Sequence, residues 1–179
     1  MKNVLVLGAS GFMGRNIANS FLDSGRYNVY GVGNSRIVEN INDYKKFYTC
    51  DLTTKEGIDH VFNRKDLVYD IVIQAAANTS GSKDIIEKPY LHVTDNAVMN
   101  SLILQACYDY HAGHMIFLSC GVMYNPERTP VTENDFYLDE GIFKNYFGVG
   151  WTKVYVEKMC EFFSGLNRTK HTVVRHSNT

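Results

Sequence analysis

The feature that most constrains this chain lies at its amino end, where the aliphatic run Val4 to Leu7 passes directly into Gly8-Ala9-Ser10-Gly11-Phe12-Met13-Gly14. An uninterrupted aliphatic run of this length reads as a strand covered on both faces, hence part of a parallel sheet. Three glycines spaced G-x-x-G-x-x-G then allow a tight turn without Cβ atoms. Behind them, Phe12, Ile17, Phe21 and Leu22 repeat at helical spacing, and Gly25 offers a stop. A glycine turn between strand and helix brings backbone N–H groups and a helix amino terminus up to a phosphate. The alternative is a turn that serves only the fold.

The rest of the chain continues the alternation of short apolar runs with longer helical patterns, the mark of βαβ units. Strands are expected near residues 28–32, 47–50, 70–75, 115–119 and 172–175. Thr53 or Thr54 can cap a helix carrying Ile58, Val61 and Phe62. One long helix is expected from about Tyr90 to Tyr110 and a last one from Phe147 to about Phe163, which Gly165 can stop. Pro126 and Pro130 punctuate the loop between them. No repeat, linker or low-complexity segment interrupts the 179 residues, which read as a single domain.

Composition narrows the function classes. Eighteen Lys and Arg balance nineteen Asp and Glu, so the basic excess of a phosphate-tracking nucleic-acid binder is missing. No apolar stretch approaches a membrane span, and the amino terminus is too short for a signal-peptide core. Cys50, Cys107, Cys120 and Cys160 lie far apart without a C-x-x-C pair, which suggests neither a zinc site nor a disulfide framework. Reduced thiols and a cytoplasmic location are expected. The six histidines show no metal-ligand spacing beyond the His111/His114 pair, which straddles a turn glycine.

The glycine turn opening a first βα unit points to a dinucleotide. NAD-binding units usually end the second strand with an acid for the ribose 2′-OH, whereas an Arg accommodates the 2′-phosphate of NADP. Here the strand ends Gly31-Val32-Gly33-Asn34-Ser35-Arg36, without an acid. Arg36, with Arg15 as a further source of charge, directs the expectation to NADP, with NAD as the alternative.

Several further segments then fall in order. They are Cys50-Asp51-Leu52, Gln74-Ala75-Ala76-Ala77, Asn96, Leu118-Ser119-Cys120-Gly121-Val122-Met123-Tyr124, Val149 to Lys153 with Glu157 to Glu161, and Arg175-His176-Ser177-Asn178. Together with the glycine turn they resemble the extended short-chain dehydrogenase/reductases, specifically the nucleotide-sugar epimerase/dehydratase group that includes the GDP-L-fucose synthases. The resemblance covers essentially the whole chain. It implies a Rossmann-type doubly wound parallel sheet in a three-layer α/β/α arrangement. It also implies NADP or NAD as cofactor, a nucleotide-sugar substrate transformed by hydride transfer, and pairing into homodimers through two long helices. The cofactor-binding residues it implies are Gly8, Ser10, Gly11, Phe12, Met13, Gly14, Asn34, Arg36, Asp51, Leu52, Ala75, Ala76, Ala77 and Lys153. A carboxy-terminal, substrate-specifying domain is expected to be absent from residues 1–179.

The same resemblance defines the expected chemistry and two departures from it. In the family a tyrosine moves a proton, a Lys four residues later stabilises the phenolate and holds ribose, and a Ser or Thr completes the relay. An unperturbed Tyr, near pKa ~10, needs such help at neutral pH. Lys153 is kept, but the position four residues earlier is Val149, and the Ser/Thr position is Cys120. Valine cannot carry a proton. Tyr146 lies three residues before Val149, on nearly the same helical face, about 10.5 Å along the axis from Lys153 if the helix extends that far. Tyr124, Tyr155 or a residue beyond Thr179 are the other candidates. Cys120, Tyr146 and Lys153 are therefore the candidate catalytic set. A surface ion pair with Glu157 is the alternative role for Lys153. A catalytically silent, dinucleotide-binding relative with a regulatory or scaffolding role is the alternative for the chain.

Overall fold

The computed structural model describes residues 1–36, 38–79, 87–125, 127, 130–138, 140, 142 and 144–177. Six parallel strands form one sheet: β1 (Lys2–Leu7), β2 (Tyr27–Gly33), β3 (Lys46–Thr49), β4 (Ile71–Gln74), β5 (His114–Cys120) and β6 (Lys170–His176). Their spatial order is β3-β2-β1-β4-β5-β6, the doubly wound order of the Rossmann fold. Val4, Val6 and Leu7 pair with Val29, Gly31 and Val32 on one side and with Ile71, Ile73 and Gln74 on the other. Val4 to Leu7 of the central strand thus lose all contact with water, which is why that run is purely aliphatic.

Among the described residues four α-helices connect the strands: α1 (Phe12–Asp23), α2 (Lys55–Phe62), α3 (Thr94–Asp109) and α4 (Phe147–Gly165). Right-handed crossovers running outward in opposite directions from β1 and β4 place the helices on both faces. On one face Ala18, Ile17, Phe21 and Leu22 of α1 close over Val4, Val6, Val29 and Ile73. On the other, α2, α3 and α4 pack Val61, Phe62, Ile103, Leu104, Val156 and Cys160 onto Leu5, Val72, Met115 and Phe117. A small satellite core of Met123, Ile142 and Val154 sits beside α4, against Tyr146 and Trp151. No helix among the described residues is long and apolar enough to cross a membrane.

The structure revises the sequence reading in three places and decides between two offered caps in a fourth. The stretch from Tyr90 to Tyr110 is not one helix: a 3₁₀ turn (Pro89–His92) precedes α3. The amide of Asn96 takes the His92 carbonyl at 2.8 Å, capturing an acceptor that a continuous helix would use for its own ladder. Phe12 begins α1 but stays 64% exposed, because the buried face of the helix is made by Gly14 and Ala18. Gly165 is the last residue of α4 rather than its left-handed stop; that conformation falls to Asn167, at φ 58°. Thr54, not Thr53, caps α2, its hydroxyl accepting from the Gly57 N–H at 3.1 Å. The Pro126 punctuation of the loop lies outside the described residues.

Candidate functional site

The carboxyl ends of β1 and β4 lie side by side while their crossovers leave in opposite directions, and a crevice opens where they part. A groove of about 500 Å³ occupies it. Its floor is the glycine turn, where Gly8 and Gly14 leave no room for a Cβ. Gly8 has φ +78°, and a Cβ on it would lie 2.7 Å from the Ala76 backbone nitrogen. A Cβ on Gly14 would collide with the Gly8 carbonyl, so α1 could not start this close to β1. Gly11, the N-cap of α1, offers no side-chain acceptor to the first-turn N–H groups, and no acid stands in that turn. Those donors and the positive end of the helix dipole are suited to an anion.

The groove gathers Gly8, Ser10, Gly11, Phe12, Asn34, Arg36, Asp51, Leu52, Ala76 and Ala77 of the residues expected from sequence. Asn34 and Arg36 are exposed at the end of β2, and Asp51 follows β3. The Asp51 carboxylate accepts from the Thr53 backbone N–H at 2.9 Å and from its hydroxyl at 2.7 Å, which fixes its direction. Met13, Gly14 and Ala75 do not line the groove. Gly14 is buried beneath the turn, and the Ala75 N–H extends the ladder to the Leu7 carbonyl at 3.1 Å. Lys153, Cys120 and Tyr146 also lie outside that lining.

Lys153 belongs to a second cluster, where α4 crosses the end of β5. Its ammonium donates to the Leu118 carbonyl at 3.0 Å and stands 4.8 Å from the centre of the Phe117 ring. Burial pulls its pKa below the ordinary lysine value, while the neighbouring Cys120 and Glu157 act in the opposite sense. Cys120, the last residue of β5, is buried with a free thiol. The surface ion pair considered for Lys153 is not formed. Glu157 is held by the Arg175 guanidinium, with nitrogen–oxygen distances of 3.2, 3.1 and 2.7 Å. A planar fork matches a carboxylate better than a single ammonium does.

Val149 is half-buried one turn before Lys153. Tyr146 precedes the first turn of α4 with φ −108° and ψ 12°, so regular helix does not reach it, and its ring packs on the Met123–Ile142–Val154 core. The other two tyrosines are engaged elsewhere. The Tyr124 hydroxyl accepts from Arg175 at 2.8 Å, and that of Tyr155 meets the Ser101 hydroxyl at 3.1 Å between α3 and α4. Asn178 lies outside the described residues.

Comparison with known proteins decides the family. The model for the NAD dependent epimerase/dehydratase family matches residues 4–179. The chain belongs to this family. UDP-glucose 4-epimerase 2 of Arabidopsis thaliana is 25% identical over 172 residues, which are 89% of this chain and 46% of the plant protein. UDP-glucose 4-epimerase of Bacillus subtilis is 28% identical over 166 residues, 87% of this chain and 46% of that one. The solved UDP-glucose 4-epimerase of Thermotoga maritima, with UDP-glucose, superposes with a TM-score of 0.79 at 26% identity, covering 97% of this chain and 54% of that one. The chain spans about half the length of these relatives.

For this member of the epimerase/dehydratase family, reading motifs along the sequence missed part of the groove. Cys50, Thr53, Asn78, Asp95 and Met99 also line it. Asn78 and Asp95 meet across it, the amide of one donating to the carboxylate of the other. The available signal was adjacency: Asn78 follows Ala75-Ala76-Ala77, and Asp95 precedes Asn96.

Proposed function

We propose that this chain is the dinucleotide-binding domain of an NAD(P)-dependent epimerase/dehydratase-type enzyme that acts on a nucleotide sugar by hydride transfer. The observation carrying this reading is the groove at the β1/β4 crevice, floored by a turn in which Gly8 and Gly14 admit no Cβ and flanked by Ala76 and Ala77. A dinucleotide's pyrophosphate suits the first-turn N–H groups of α1, and its adenosine half suits the β2–β3 side. Bound there, the cofactor would supply a nicotinamide able to accept or return hydride.

NADP is the favoured form. The end of β2 presents Gly33, Asn34, Ser35 and Arg36, a cation and no carboxylate. The solved Thermus thermophilus UDP-glucose 4-epimerase, 25% identical with a TM-score of 0.78, is a complex with NAD, which keeps NAD as the alternative. Lys153 would hold the nicotinamide ribose and keep a positive charge beside the reacting group. Cys120 would offer a weak hydrogen bond where relatives of the resembling group carry Ser or Thr. Tyr146 is assigned the proton, moving off the satellite core into the site. The substrate domain would lie beyond residues 1–179. Homodimers would form through α3 and α4, whose outward residues include Val98, Tyr155 and Phe162. A cytoplasmic location would suit the four free cysteines.

A second reading, a dinucleotide-binding relative without turnover, is favoured by Val149 and by the packing of Tyr146 on the Met123–Ile142–Val154 core. The full-length protein is to be incubated with NADPH or NADH and 4-keto nucleotide sugars, following absorbance loss and, by calorimetry, cofactor affinity. Turnover that falls about 10²- to 10⁴-fold in Tyr146→Phe supports the enzyme with a relocated tyrosine. Micromolar cofactor binding without turnover supports the second reading, and absence of binding defeats both. NADP affinity unchanged by Arg36→Ala would reject the 2′-phosphate assignment.

A further inference from the structure

The carboxyl end of β4 leaves the sheet at Gln74, and the segment from Ala76 to Asn78 must find partners for its backbone without a neighbouring strand. Side-chain amides provide them. Gln74 reaches forward to Ala76, accepting from its N–H at 3.1 Å and donating to its carbonyl at 3.1 Å. Asn96 does the same for Asn78, with both distances 2.9 Å. Ala77, between these two clamped residues, is exposed in the groove.

One buried residue sets the sense of this arrangement. Asn100, 3% exposed and on the buried side of α3, donates to the Asn96 carbonyl at 2.7 Å. A carbonyl only accepts, so the Asn100 nitrogen must face it, and the Asn100 oxygen must face Gln74. That oxygen accepts from the Gln74 amide nitrogen at 2.9 Å. Gln74, itself 1% exposed, therefore presents its oxygen to the Ala76 N–H. Reversing either amide would set two acceptors or two donors face to face in a buried place and leave them unsatisfied.

We infer that Asn100 and Gln74 are positioning residues for the β4 wall of the groove: a chain of amides running from an α3 carbonyl fixes where Ala76 to Asn78 meet the ligand. This rests on the reading that the groove holds a dinucleotide. Neither residue lines the groove. Their effect falls on the β4 side, whereas Asn34, Arg36 and Asp51 stand on the β2–β3 side.

The test compares two ligands on the intact protein by calorimetry: NADPH, which spans both sides, and adenosine 2′,5′-bisphosphate, which reaches only the β2–β3 side. Asn100→Leu is expected to weaken NADPH on the order of tenfold, the loss of about one buried hydrogen bond. It should change the bisphosphate by less than about twofold. Gln74→Met should do the same, and the double variant should be no worse than Gln74→Met alone, as in a single chain of contacts. Equal weakening of both ligands would make the residues merely structural and overturn the inference, as would unchanged NADPH affinity. A wild-type protein that binds the bisphosphate but not NADPH overturns the dinucleotide reading itself. Amide exchange in the free wild-type protein needs no variant and applies even if Asn100→Leu fails to fold. The Ala76 and Asn78 amides should be protected and Ala77 should exchange fast; equal exchange at all three would refute the clamp.

Discussion

Gly8 combines two restrictions, φ +78° and contact with the backbone of Ala75 and Ala76. Gly8→Ala should therefore destabilise the protein by about 1–3 kcal/mol, read from urea unfolding, and should also abolish dinucleotide binding in calorimetry. An alanine there must push β4 away from β1, the two strands that frame the groove. Residues of this kind were legible because their signal is contiguous: glycines follow a strand, Asp51 follows a strand, and small residues follow a strand. Asn78 and Asp95 were not, because they meet only once α3 has folded over the β4 tail. The alternative partner for Lys153 fails for a related reason. Helical spacing offered Glu157, but β6 brings in Arg175, whose fork takes that carboxylate and leaves the ammonium to the Leu118 carbonyl.

At the scale of elements, α2 shows how little holds a short helix in place. It has eight residues, too few to persist alone, and depends on burying Ile58, Val61 and Phe62 and on its Thr54 cap. Thr54→Ala should cost about 1 kcal/mol in chemical denaturation, leaving the Gly57 N–H without its acceptor. Thr54→Ser should recover most of that loss. Helix and strand positions followed from periodicity to within a few residues, since burial on one or both faces dictates the pattern. What periodicity could not show was local competition by polar side chains. The Asn96 amide takes the His92 carbonyl and sets α3 off from the turn before it. Asn167 takes the left-handed position that Gly165 was expected to fill. Both cases turn on a side chain or backbone angle with no hydrophobic signature.

Across the whole molecule, strand order was not contained in any apolar repeat; it followed from the family pattern and from the handedness of crossovers. The pH dependence of stability belongs to this scale because it sums over buried groups. His171 and His114 are both pulled below the ordinary imidazole value, chiefly by burial. The unfolded chain takes up these protons below about pH 6.5 more readily than the folded one. Their contribution is thus fully present above that pH and is lost as pH falls through the depressed folded values. Urea midpoints should drop from pH 7 to pH 5, and His171→Phe should flatten the slope. The replacement ring suits a site where His171 already lies 6.4 Å from the Phe163 ring centre. A midpoint independent of pH in the wild type would contradict this account.

The unequal burial of the four thiols has a practical outcome. Cys107 and Cys160 are shut inside the core, where burial holds the first far above the normal thiol range and pushes the second up to about 12. Cys120 is buried as well, and Cys50 alone is half open, in the wall of the groove. Burial and the adjacent Asp51 raise its pKa too, so a maleimide dye should attach slowly at neutral pH and faster in mild alkali. A molecule lodged beside it would shield it, giving an intrinsic chemical footprint of occupancy that needs no engineered tag.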